Sequence, residues 1–156
     1  MYKVGIIGPE STGKTTLARY LAERYHGVLV PEYAREYARE YVEQLGRPYT
    51  REDVETIARH QIEQLQGLTT NDQRLYFFDT ELIITKVWFE YRYGECPAWV
   101  EDALRRFPMD VYLLCYPDIE WQFDPVRENP DIREELFLRY EQEIQKLSIP
   151  YYIIRH

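Results

Sequence analysis

The feature that most constrains this chain is "GPESTGKT" at positions 8–15, which fits G-x-x-x-x-G-K-[ST] at every fixed position. It follows the apolar run "YKVGIIG" (2–8) and leads into a helix-like stretch with Leu17, Leu21 and Tyr25 along one face. Such a run reads as a central strand buried on both faces. Two glycines let successive N–H groups turn toward an anion, and the helix N-terminus adds its partial positive charge. The pattern implies a Mg²⁺–nucleoside triphosphate site. Gly8, Pro9, Glu10, Ser11, Thr12 and Gly13 would form the cradle, Lys14 would reach the β- and γ-phosphates, and the Thr15 hydroxyl would ligate Mg²⁺. Thr16 either contacts the α-phosphate or caps the helix.

Strand and helix patterns alternate along the rest of the chain. Apolar runs at 27–31, 74–79, 110–116 and 149–156 predict four further strands. Helices are predicted at 14–25, 32–46, 50–67, 80–94, 97–106 and 131–147, the third opening on a capping-box-like Thr50 and Asp53. Five apolar strands separated by helices call for the α/β class, with a parallel sheet covered on both faces. No linker or repeat divides residues 1–156, so a single domain is expected, with a lid-like connection at about 117–133.

The formal net charge of −8 argues against a broad nucleic-acid surface, which needs clustered Lys and Arg. No stretch approaches the roughly 20 apolar residues that span a bilayer, and no signal-like segment precedes the first strand. Cys96 and Cys115 lack metal-ligand spacing. A cytoplasmic protein with a small-molecule partner, and neither nucleic acid nor membrane, is the expectation. The oligomeric state is left open.

In an open α/β sheet the ligand lies beyond the carboxyl ends of the strands, which picks out a few of the 27 acidic residues. Asp79 ends "LYFFD", where it could hold Mg²⁺ or take a proton from an attacking hydroxyl, or instead cap the helix after it. Glu32 ends the second strand and competes with Asp79 for the role of base, its plain alternative being an acid in a helix's first turn. Arg35, one turn along, is a candidate for substrate or phosphate binding. In "YPDIEWQFDPVRENPDIREE" (116–135), Arg127 and Arg133 could close over phosphates, with helix-flanking surface arginines as the alternative. Trp121 could stack on a flat ring or pack in the core, and Asp118 and Asp124 could bind sugar hydroxyls or counter a cationic base. Trp88, at helical spacing with Ile84 and Tyr91, is expected in the core.

Taken together, "GPESTGKTTLA", "PEYAREY", "FFDTELIITKVWFEYRYG" and "YLLCYPDIEWQFDPVRENP" resemble the ribosylnicotinamide kinase domain of NadR-type proteins over nearly the whole chain. The resemblance implies a P-loop, nucleoside/nucleotide-kinase-like three-layer α/β/α sandwich with strand order 2-3-1-4-5. It implies ATP and Mg²⁺ as cofactors and phosphorylation of the ribose 5′-hydroxyl of nicotinamide riboside, giving nicotinamide mononucleotide in NAD salvage. By position, Lys14, Thr15 and Asp79 would serve the phosphates and Mg²⁺, and Asp118, Trp121, Asp124 and Arg127 the substrate and lid region. A cationic pyridinium ring would suit the face of Trp121.

Two departures stand out. The family segment often reads W-x-x-D-G-x-R, whereas Pro125 and Val126 separate Asp124 from Arg127 here. Relatives also usually continue past the fifth strand into a purine-contacting loop and a final helix, so this sequence is expected to be truncated or to carry an incomplete adenine site. The alternatives are a kinase for another nucleoside or nucleotide, and a P-loop ATPase acting as a nucleotide-dependent regulatory switch.

Overall fold

Alternation along the strands sorts the core into two layers. In β1 (Tyr2–Ile7), Val4 and Ile6 turn to one face and Ile7 to the other. In β3 (Leu75–Asp79), Phe77 joins the first set, and Tyr76 and Phe78 join the second. The computed structural model describes residues 1–10, 12–42, 46, 48–68, 73–118 and 132–155. β1 and β3 pair in parallel with β2 (Val28–Val30), β4 (Val111–Cys115) and β5 (Tyr151–Ile154) in one sheet, ordered β2-β3-β1-β4-β5. The strand order implied by the resemblance is the one observed.

Helix α1 (Lys14–Arg24) covers one face through Ala18 and Ala22, which pack on Val4, Ile6, Phe77 and Cys115. The opposite face carries α3 (Arg51–Gln66), α4 (Leu82–Tyr93), α5 (Ala98–Arg106) and α6 (Arg133–Leu147). That layer holds fully buried Ile83 and Phe89 of α4, Val100 of α5 and Ile144 of α6. Burying side chains of this size contributes about 1.5–3 kcal/mol each. The result is the three-layer α/β/α sandwich.

One local signal is read out directly. Thr50 and Asp53 form the capping box at the start of α3: Thr50 Oγ1 accepts from Asp53 N at 3.2 Å, and Asp53 Oδ2 accepts from Thr50 N at 2.8 Å. The predicted helix at 32–46 is different in kind. It consists of a short α2 (Tyr33–Tyr37) that widens into π-helical turns at Ala38–Val42. Tyr37 donates to Asp53 Oδ1 at 2.6 Å, tying this irregular segment to α3.

Beneath the carboxyl end of β3, Glu81 is buried and bonded. It is the N-cap of α4, where its Oε1 accepts from Ile83 N at 2.8 Å, and it also receives the Tyr112 hydroxyl. Loss of hydration outweighs these bonds and pushes its carboxyl up to about 7. A carboxyl raised on folding keeps its proton in the folded state after the unfolded chain has lost it. Its contribution is therefore complete below the unfolded value of 4.5 and drains away as pH rises to about 7. Glu81→Gln keeps a cap acceptor but does not titrate. The variant is expected to gain stability over the parent by about 3 kcal/mol between those pH values. Denaturant unfolding at pH 4, 5.5 and 7.5 checks this; parallel stability curves would refute it.

Candidate functional site

Two glycines shape the phosphate loop. A Cβ on Gly8 would stand 2.8 Å from the carbonyl oxygen of Cys115 on neighbouring β4. Gly13 opens α1 in the left-handed region, φ 80°, with no side-chain cap. Pro9's carbonyl ties the loop together: it accepts from Thr12 Oγ1 at 2.8 Å and from Lys14 Nζ at 3.0 Å. Lys14 is buried in this arrangement, held across the loop rather than extended into solvent. Arg133, the first residue of α6, approaches from above, and its Nη1 donates to Glu10 O at 3.5 Å.

Asp79 meets the loop through sheet register. Ile6 pairs with Asp79, so the last residue of β3 ends beside the start of the loop. Thr15 Oγ1 donates to Asp79 Oδ2 at 2.7 Å, a contact between residues 64 positions apart. Asp79 does not cap α4, contrary to the capping alternative; Glu81 occupies that position. The carboxylate of Asp79 is therefore turned to the loop and not to the helix.

The other sequence candidates are more dispersed. Glu32 is buried at the N-cap position of α2, with its Oε2 3.6 Å from Nε of Arg35. Thr16 is exposed on α1, and its capping alternative fails because no side chain caps that helix. Asp118 is exposed just beyond β4. Ser11, Trp121, Asp124 and Arg127 lie outside the described residues.

Beside the loop lies a cavity of about 230 Å³ that the sequence patterns did not reveal. Glu10 of the loop, Thr80, Gln61 of α3 and Trp88 of α4 are among its walls. Trp88 is not simply core: it packs edge-on to Tyr49, 5.0 Å between ring centres, and borders the cavity. Ile84, Thr85, Trp88, Tyr91 and Arg92 present one face of α4 to the space. The same helical spacing that suggested a core stripe is the spacing of a cavity wall. Thr85 Oγ1 donates to Gln61 Oε1 at 2.7 Å, which fixes the amide and leaves its N–H₂ end as the donor side. Tyr49, Gln61, Thr80, Thr85 and Arg92 were missed because they come from four separate segments with no shared motif.

Residues 3–156 match the family described as AAA domain. The chain belongs to that family. This AAA-domain chain is 24% identical over 126 residues to the trifunctional NAD biosynthesis/regulator protein NadR of Escherichia coli (strain K12). That match covers 80% of the chain and 30% of the relative, so the chain spans less than a third of the curated protein it resembles. Among solved structures, a NadR protein in complex with NR superposes with a TM-score of 0.76 at 22% identity, covering 97% of this chain and 43% of that one. Deoxyadenosine kinase from M. mycoides, with products dcmp and dcdp, gives 0.65 at 13% identity, covering 97% and 89%. At these identities the structural likenesses establish the fold of the AAA-domain chain. No helix among its described residues is long and apolar enough to cross a membrane.

Proposed function

We propose that this chain is an ATP- and Mg²⁺-dependent small-molecule kinase that phosphorylates the ribose 5′-hydroxyl of nicotinamide riboside. The observation that carries the reading is the 2.7 Å contact between Thr15 and Asp79 beside a cavity bordered by Glu10 of the same loop. A switch ATPase needs the loop but not an adjoining cavity of acceptor size. The likeness to NadR supports nicotinamide riboside as the acceptor.

Thr15 and Asp79 supply the hydroxyl and carboxylate oxygens that suit Mg²⁺, a hard cation with octahedral oxygen coordination. No cluster of three or more His, Cys, Asp or Glu that could hold a metal occurs among the described residues, which fits an ion shared with nucleotide phosphates and water. When bound, Mg²⁺ would neutralise charge on the transferring phosphoryl group. Lys14, held on Pro9 O, would supply positive charge to the β- and γ-phosphates, and the N-terminal turn of α1 would add its N–H donors to the same anion. Arg133, already over the loop at Glu10, adds a cation from the lid side. Glu32 and Asp79 remain the two candidates to receive the acceptor proton, with Arg35 holding Glu32 in place. The role of Ser11 in the cradle rests on the loop pattern, and those of Asp118, Trp121, Asp124 and Arg127 in the lid region rest on the sequence resemblance.

A second reading, a kinase for another nucleoside, is favoured by one observation. The Gln61 amide, oriented by Thr85, offers donors to any ring carrying an exocyclic oxygen or ring nitrogen. A product-resolved assay with ATP, Mg²⁺ and nicotinamide riboside, beside adenosine, deoxyadenosine, thymidine, uridine and no acceptor, separates the readings. Nicotinamide mononucleotide is the expected selective product. Turnover of a different nucleoside alone would replace the acceptor. ATP hydrolysis that ignores every acceptor would put the switch reading first.

A further inference from the structure

Among the described residues, three non-glycine residues have left-handed backbone, and one of them does not belong to the usual pattern. His26 (φ 53°) and Ser148 (φ 58°) lie just past the ends of α1 and α6, where a left-handed residue commonly terminates a helix. Thr80 (φ 70°) lies between β3 and α4, ends no helix, and is β-branched, the side-chain type this region tolerates least. Its N–H donates to Ile6 O at 2.9 Å, which holds the strained residue against β1.

A second cost falls on the same side chain. Thr80 Oγ1 is buried and has no hydrogen-bond partner among the described residues. Glycine at this position would remove the strain and the unsatisfied hydroxyl together. Strain retained in this way points to a use at the site it borders. Thr80 follows Asp79, whose carboxylate touches Thr15 of the loop, and it borders the cavity together with Glu10. Trp88 lies six residues beyond the first residue of α4, about 9 Å along the helix. The cavity thus has a polar end at the phosphate loop and an aromatic end farther along α4.

We propose that Thr80 is a substrate-binding residue whose hydroxyl completes its hydrogen bonding with the hydroxylated end of the acceptor. The inference rests on the kinase reading, because it takes the cavity as the acceptor site. A threonine hydroxyl both donates and accepts, as a sugar hydroxyl does, so the pair satisfies each group in either direction. The acceptor class is a sugar-bearing aromatic, with its sugar against Thr80 and its ring toward Trp88.

The test compares Thr80→Gly and Thr80→Ser with the parent chain, using thermal unfolding, calorimetric binding of nicotinamide riboside and of the nucleoside panel, and steady-state kinetics. Thr80→Gly is expected to unfold about 2–5 °C higher, the reverse of what a structural threonine would give. It should weaken acceptor binding about 5- to 30-fold and leave the KM for ATP within about two-fold. Thr80→Ser, which restores the hydroxyl, should return acceptor binding to within about three-fold of the parent. Acceptor binding unchanged in Thr80→Gly, or equally weakened in Thr80→Ser, would overturn the proposal while turnover by the parent upheld the kinase reading. Parent chain that binds an acceptor with the expected Thr80 dependence but transfers no phosphate would overturn the kinase reading alone. Parent chain that binds no acceptor in the panel would overturn both.

Discussion

Lys14→Ala is expected to lower kcat for phosphoryl transfer by at least about 10³-fold, the scale of removing a preorganised charge from a developing anionic transition state. The lysine is buried at the start of α1, and its Nζ lies 3.0 Å from Pro9 O, so little of its length is free to wander before nucleotide binds. Its removal does not orphan that carbonyl, which also accepts from Thr12 Oγ1 at 2.8 Å. The loop should therefore persist, and the stability loss should stay near about 1 kcal/mol, the net value of one hydrogen bond. Product-resolved kinetics together with thermal unfolding measure both quantities. Turnover close to the parent's would remove Lys14 from the mechanism.

Asp79→Asn should be the next most damaging change, lowering kcat by about 10²- to 10⁴-fold. Asparagine keeps an oxygen able to accept from Thr15 but loses the negative charge that attracts Mg²⁺. The Mg²⁺ concentration for half-maximal rate should rise with the loss in kcat, which separates a metal-holding role from a packing role. Because Glu81 caps α4, the helix should survive the change, and far-ultraviolet circular dichroism should be unaltered. A variant with a normal Mg²⁺ dependence and near-normal rate would leave Glu32 as the remaining carboxylate candidate. A variant with a lost helix would contradict the capping seen at Glu81.

The contrast between Asp79 and Glu81 shows how far local pattern reaches. Both acids stand in "DTE" at the end of a strand, and either could have capped the following helix. The decision depends on which carboxylate faces Thr15 and which faces Ile83, and that is set by pairing of β3 with β1. Trp88 shows the same limit from another direction. An apolar stripe at helical spacing says that a face is kept from water, and it does not distinguish a packed neighbour from an enclosed space. The π-helical turns at Ala38–Val42 carried no signal at all, since their sequence reads as ordinary helix.

What the sequence determined was everything encoded over a few residues: the glycine, lysine and threonine spacing of the loop, the five apolar runs, and the capping box at Thr50 and Asp53. These depend on backbone freedom, hydrophobic period and local hydrogen bonds, all of which act between near neighbours. Only the tertiary structure decided that Thr15 meets Asp79, that Arg133 reaches Glu10, and that Gln61, Thr80 and Trp88 border one cavity. Those contacts join residues from separate elements, and their geometry comes from sheet register and helix packing, which no local stretch of the chain specifies by itself.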